Sequence, residues 1–399
     1  MAPGTCGEEH ADGAKPSRRP AAAAWGLALV ALLIRSCGLT HDLDAGKIYH
    51  PDTPKQVRAA QRYAQGVFYS HTGLRDYDGY PLFASVMAAG LYHGVEFVAE
   101  AARDHVGWHA APSHADRVIR LEWIMRGMNV VLSSLAVWLL FCLARRVCRP
   151  GTALLAAALF CLSPLDVAAC RHASGDTAAA FFALASLIFS VRILQRGGAL
   201  DYVLAAAACM CSFSAKYHGA MAAAPLVAAH VLRARSLKEL VGLASIRRAA
   251  LVLATVTIVF FLTNPATLVK TSEGVGQILA FLLHASRGGI TGPAESANRF
   301  VLFLAKIRAN IPVFADFMSP ALLAFALAGV VAAFFTDKAR RVVAMLPIMY
   351  VLFGLSSKTA GNAVYSTLVT PALFLLGAVA MSDLMRLRRL RPLPRMAAW

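Results

Sequence analysis

"LEWIMRGMNVVLSSLAVWLLFCLARRVCR" (residues 121–149) opens on charge, turns apolar and closes on three arginines. An apolar run of about 20 residues crosses the hydrocarbon core of a bilayer as a helix. Lys and Arg gather on the cytoplasmic side of such helices, so Arg145, Arg146 and Arg149 place the end of this segment in the cytoplasm. The apolar stretch before it, residues 82–102, carries His93, Glu96 and Glu100. Were that stretch to cross as well, the arginines would face outward. Each charge at bilayer depth also costs about 2.5–3.5 kcal/mol. A helix lying along the membrane surface keeps these groups wet. Residues 82–102 therefore read as a juxtamembrane helix, and the rest of the topology follows from that choice.

The same logic extends over all 399 residues, of which 58% are hydrophobic and 15% charged, with a mean hydropathy of +0.57. Soluble domains carry about a quarter charged residues. The net charge of +17 resides in short clusters between apolar runs, such as Arg247-Arg248 and Arg340-Arg341. That is positive-inside topology, with affinity for anionic membrane lipids, and it argues against nucleic-acid binding. The first span, residues 21–39, follows a basic tail and reads as an uncleaved signal anchor. Further spans fall at 121–143, 152–169, 177–193, 201–215, 217–232, 249–262, 321–335, 342–355 and 364–384. The expectation is an all-α, polytopic transmembrane helical bundle of about ten spans with outer juxtamembrane helices. Residues 1–20 and 385–399 are basic cytoplasmic tails, and 21–384 form one membrane domain with outer loops at 40–120 and 264–320. None of the eight cysteines forms a C-x-x-C pair, and most lie in apolar runs as small hydrophobes.

The groups able to do chemistry collect on the outer side. Asp52 stands in "HPDTPK", between two prolines just beyond the first span. A helix cap explains it; so does a general base held at the membrane surface for an acceptor hydroxyl or amine. Asp42, Asp44, Asp76 and Asp78 are weaker candidates for that role. Tyr80 precedes the juxtamembrane helix in "RDYDGYPLF". In "CRHASGDT", Asp176 again fits an N-cap, yet Arg171 and His172 beside it make a polar cluster at bilayer depth. Lys216 and Tyr217 occupy a short turn, "SAKYHGA", where a lysine snorkels to the interface or holds a phosphate. Arg287, in "SRGG", is a second phosphate candidate, because a guanidinium matches phosphate oxygens bidentately. No P-loop, GxGxxG or HExxH is present, and the loosely spaced histidines His105, His109 and His114 give no metal signature. An activated donor therefore arrives through the membrane, and no cofactor is required; a divalent metal is unsupported.

In order along the chain, "YHPDTPKQVRAAQRYAQG", "YPLFASVMAAGLYHG", "SPLDVAACRHASGDTAAAFFALASL", "CSFSAKYHGAMAAAPL", "LTNPATLV" and "NAVYSTLVTPALFLLGA" resemble motifs of polytopic GT-C glycosyltransferases. The group most similar is that of dolichyl-phosphate-mannose protein mannosyltransferases and lipid A aminoarabinose transferases. The resemblance implies transfer of a sugar, with inversion, from a polyprenyl- or dolichyl-phosphate donor to a protein, lipid or glycan acceptor. Asp52 would be the base, Asp176 would line the pocket, and Lys216 and Arg287 would hold the leaving phosphate. Tyr80, His172 and Tyr217 complete the substrate-binding set. Two positions depart from the family: Thr53 stands where it has Glu, and Leu82 where it has a second proline. The location implied is a bacterial inner membrane or the ER membrane. A secondary transporter or lipid flippase is the alternative; transporters carry internal repeats and midplane charges, and neither is seen here. A non-catalytic scaffold is a third reading.

Overall fold

The computed structural model describes residues 18–37, 39, 53–65, 83–106, 114–265, 267, 275–276, 308, 311–312, 314–354 and 363–390. Among them the chain is helical. The helices are α1 (Arg18–Ser36), α2 (Thr53–Ala64), α3 (Phe83–Val106), α4 (His114–Ala144), α5 (Pro150–Cys161), α6 (Pro164–Cys170) and α7 (Asp176–Gln195), followed by α8 (Ala199–Ala215), α9 (Ala223–Arg233), α10 (Leu237–Leu240), α11 (Leu243–Thr263), α12 (Pro320–Phe335), α13 (Lys338–Met349) and α14 (Thr370–Leu390). A 3-10 turn, Tyr217–Ala222, leads into α9.

Among the described residues, five helices, α1, α4, α7, α11 and α14, are long and apolar enough to cross a membrane. Helices α5 and α6 are together long and apolar enough for a sixth crossing, and they meet at 54°. Shorter helices α8 and α12 are apolar too. The remaining crossings foreseen from the sequence fall on α9 and α13, which are shorter and flanked by non-α turns. The juxtamembrane helix expected at 82–102 is α3, which is not among the long apolar helices.

The break at α5–α6 has a local cause and a tertiary support. Pro164 has no N–H to continue the ladder, and Ser163 before it is extended and caps α6 by accepting from Asp166 N. The carbonyls thus released at the end of α5 are taken by Arg35, from the last turn of α1. Its Nη1 donates to Cys161 O at 3.0 Å and its Nη2 to Phe160 O at 3.5 Å. Arg35 is fully buried, and Asp166 neutralises it directly, with the Ser133 hydroxyl bonded to both.

Small side chains set the helix spacing. Ala179 and Ala183 of α7 and Ala205 and Ala206 of α8 are all fully buried, which lets the backbones approach. Hydroxyls then bond across the gap: Ser186 donates to Ala205 O at 3.0 Å and Ser212 to Ala179 O at 2.8 Å.

Side-chain bonds sort the helix ends into two groups. At one end Arg146 meets Gln195, Arg192 meets Asp201, Arg233 meets Ile193 O, Lys338 meets Leu232 O and Arg340 meets Asp383. This basic end collects the arginine clusters that the sequence assigned to one side. The opposite, polar end holds Arg35, Asp166, the turn after α6 and the start of α7, together with Lys216 and Asn264.

Candidate functional site

The centre of the polar end is the turn Arg171–Gly175 and the residue after it. Asn129, fully buried in mid-α4, donates both amide hydrogens to this turn, at 2.8 Å to His172 O and 2.9 Å to Ser174 O. Arg171 reaches Ile34 O at 3.2 Å. The turn is thereby bolted to α4 and α1 before α7 begins.

Gly175 is the N-cap of α7 and Asp176 its first residue, so the side chain of Asp176 does not occupy the capping position expected from the sequence. It turns inward. Asp176 Oδ2 accepts from Lys216 Nζ at 2.9 Å, with side chains 0% and 6% exposed. Lys216 lies at the end of α8 with extended backbone, φ −159° and ψ 133°, which points the chain away from the helix axis. The close approach of the two elements requires glycine: a Cβ on Gly175 would stand 2.3 Å from Ala215 O.

Neighbouring elements close around the pair. Thr263 and Asn264, at the end of α11, bond Ser214 Oγ at 2.7 and 2.9 Å, fixing α8 two residues before Lys216. Phe213 and Tyr217 pack their rings at 5.2 Å between centroids. The start of α2 approaches from outside: Gln56 Nε2 is 3.7 Å from the Cβ position of Gly175, and Ser85 of α3 donates to Gln56 O at 2.9 Å. Thr53, which opens α2, is buried. Among the described residues, Asn129 Oδ1, Ser174 Oγ and Thr177 Oγ1 are buried without a hydrogen-bond partner, and all three flank Asp176 along the turn or its anchor.

Of the residues singled out in the sequence, Asp176, Lys216, Tyr217 and His172 are brought to this one end of the bundle. Asp52, Tyr80 and Arg287, with Asp42, Asp44, Asp76 and Asp78, lie outside the described residues. Lys216 and Asp176, read separately as a phosphate ligand and a pocket lining, are each other's partners. Sequence reasoning missed Asn129, Gln56 and the Arg35–Asp166 pair. Asn129 carried a usable signal, a carboxamide inside an apolar span. Among the described residues, no group of three or more His, Cys, Asp or Glu is placed to hold a metal ion.

Residues 118–264, which include Asn129, Asp176 and Lys216, match the sequence family described as dolichyl-phosphate-mannose-protein mannosyltransferase. No curated protein matches the chain in sequence. Among solved structures, the apo oligosaccharyltransferase of Archaeoglobus fulgidus is similar with a TM-score of 0.58 at 11% identity, over 94% of this chain and 52% of that one. The same archaeal enzyme in complex with an inhibitory peptide and a dolichol-phosphate gives a TM-score of 0.54 at 11% identity, over 95% and 53%. The Saccharomyces cerevisiae Pmt1-Pmt2 O-mannosyltransferase complex bound to its sugar donor matches over 63% of this chain and 34% of that one, with a TM-score of 0.43 at 16% identity. The chain thus spans about half the length of the archaeal chains it matches. The GT-C-like helical fold expected from the sequence is the fold observed, and the chain is a multi-pass membrane protein.

Proposed function

We propose that the polar end is the active site of a membrane glycosyltransferase that takes a hexose from a polyprenyl- or dolichyl-phosphate carrier and passes it to an acceptor at the membrane surface. The observation that carries this reading is the buried Lys216–Asp176 pair, set in a turn that α4 holds rigid and that α2 covers. Buried ionisable groups in a membrane bundle mark substrate paths by default. The family match over residues 118–264 and the dolichol-phosphate in complex with the archaeal enzyme support this choice of donor class.

The roles follow from charge. Transfer from a lipid phosphate needs cations on the leaving phosphate and a base on the acceptor. Lys216 is held by Asp176 with its ammonium pre-aimed, so a phosphate arriving at the polar end finds a donor that needs no reorganisation. Asp176 offsets the charge of Lys216 at rest, so we assign a second cation on the leaving phosphate to Arg287, whose guanidinium matches phosphate oxygens bidentately. Asn129 Oδ1, Ser174 Oγ and Thr177 Oγ1 have hydrogen-bonding capacity suited to sugar hydroxyls. Asp52, which directly precedes Thr53 in the chain, takes the proton from the acceptor as its oxygen or nitrogen displaces the lipid phosphate from the sugar carbon, and this single displacement gives inversion.

The test is sugar transfer by the purified chain in detergent, from radiolabelled polyprenyl-phosphate sugars to a membrane extract. Wild type transfers label; folded Asp52→Asn and Lys216→Gln do not. Undiminished transfer by Asp52→Asn removes it from the mechanism. Absence of transfer from every donor offered to the wild type overturns the glycosyltransferase reading in favour of a lipid flippase.

A further inference from the structure

A second group of polar side chains lies at the basic end, away from the proposed active site, where α8, α9 and α11 meet. Tyr202 Oη is 2.8 Å from His230 Nδ1, and His230 Nε2 is 2.8 Å from Ser245 Oγ. Tyr202 and Ser245 are buried, at 1% and 6% exposure. Arg248, one turn beyond Ser245 on α11, lies over the Tyr202 ring at 5.6 Å from its centroid. Arg233, one turn beyond His230 on α9, donates to Ile193 O at 3.2 Å and lies against Gly197, whose φ of 68° turns the chain between α7 and α8. Both guanidiniums act electrostatically on the Tyr202 phenol.

The charge at this place is unbalanced. The neighbouring Arg192 is paired with Asp201 at 2.8 Å. Among the described residues, neither Arg233 nor Arg248 is ion-paired with a carboxylate. The 21-residue helix α11 begins here with no acidic residue in its first turn and no side-chain cap on Gly242. Ser245 N and Ile246 N bond Gly242 O, and the helix start adds the positive end of a dipole to two half-buried guanidiniums. The chain Tyr202–His230–Ser245 uses both ring nitrogens, and a neutral imidazole offers one donor and one acceptor, so one of the two hydroxyls keeps a proton to donate outside the chain. Two guanidinium forks, one hydroxyl donor and a helix N-terminus match the acceptor oxygens of a phosphate.

We propose that Arg233, Ser245 and Arg248 form a phosphate-binding site at the basic end, occupied by the headgroup of an anionic phospholipid or by free phosphate. It tethers α9 to α11, the link at which the chain leaves the tightly packed bundle for a helix that is largely exposed. The site is independent of sugar transfer and stands or falls without it.

Native mass spectrometry of the purified full chain reads occupancy directly, with phosphatidic acid, phosphatidylglycerol and phosphatidylcholine offered in turn. Wild type retains one molecule of either anionic lipid in preference to phosphatidylcholine. Arg248→Gln and Ser245→Ala each weaken retention, Arg248→Gln by about tenfold, while Arg247→Gln, an exposed neighbour, leaves it unchanged. Ser245→Ala removes a donor without charge or bulk, so its unaltered thermal unfolding separates lost binding from lost fold. Displacement by millimolar inorganic phosphate assigns the site to free phosphate; resistance assigns it to the lipid headgroup. Equal retention of all three lipids, or equal retention by wild type and both variants, overturns the proposal.

Discussion

Lys216 and Asp176, 40 residues apart in sequence, meet at 2.9 Å with both side chains closed off from solvent. Removing one partner of a buried pair leaves an uncompensated charge and costs about 3–5 kcal/mol. Asp176→Asn and Lys216→Met should each lower the unfolding temperature sharply in detergent. The double variant Asp176→Leu/Lys216→Met should recover most of that loss yet transfer no sugar. Recovery of activity along with stability would reduce the pair to a structural one.

Asn129 offers a way to disturb the site without touching a charge. Replacing it by Leu withdraws two hydrogen bonds from His172 O and Ser174 O, a cost of about 1–3 kcal/mol. Transfer should fall further than stability does, because the turn that aims Asp176 is released. Asn129→Asp should do worse, since it turns two acceptors toward a carboxylate.

Gly175→Ala adds one methyl where a Cβ would stand 2.3 Å from Ala215 O. The turn and α8 must separate, at about 1–3 kcal/mol for overpacking. The expected result is lower thermal stability with transfer reduced about as much as by Lys216→Gln. The variant Gly151→Ala, where a Cβ meets nothing within 4 Å, should change neither.

Two cysteines report the sidedness of the bundle. Cys37 is exposed at the polar end, beyond α1. Cys148 lies between α4 and α5 at the basic end, where burial pushes its thiol up to about 12. At pH 8 on the order of one such thiol in ten thousand is ionised. In single-cysteine variants, an impermeant maleimide applied from outside should label Cys37 and spare Cys148. Raising the pH toward 10 on opened membranes should accelerate Cys148 labelling about tenfold per unit.

The helical class, the gathering of the basic clusters at one end and the existence of a helix at α3 were legible, because hydropathy and charge placement are local properties of sequence. The break between α5 and α6 was not read, although Pro164 marks it. What makes the break tolerable is Arg35, more than 120 residues away, and such a partner leaves no trace in a hydropathy profile. For the same reason Asp176 and Lys216 read as two separate site candidates, a pocket residue that could equally be a helix cap and a phosphate ligand that could equally be a snorkelling cation, and not as one pair. Each local explanation was sufficient alone, and only the packing of α7 on α8 shows that the two charges answer each other. Asn129 was readable in principle, yet nothing in the sequence says which turn a buried carboxamide will hold.

The helices α7 and α8 carry an ion pair at each end of their shared length: Asp176 with Lys216 at the polar end, and Arg192 with Asp201 at the basic end. Either helix alone would bring an unpaired acid and an unpaired base toward lipid, each at a cost of about 2.5–3.5 kcal/mol at bilayer depth. Together the four charges are paired at both ends, and only Arg196–Gly198 separates the two helices in the chain. On these charges, insertion of α7 and α8 together as one hairpin is cheaper than insertion of either helix alone.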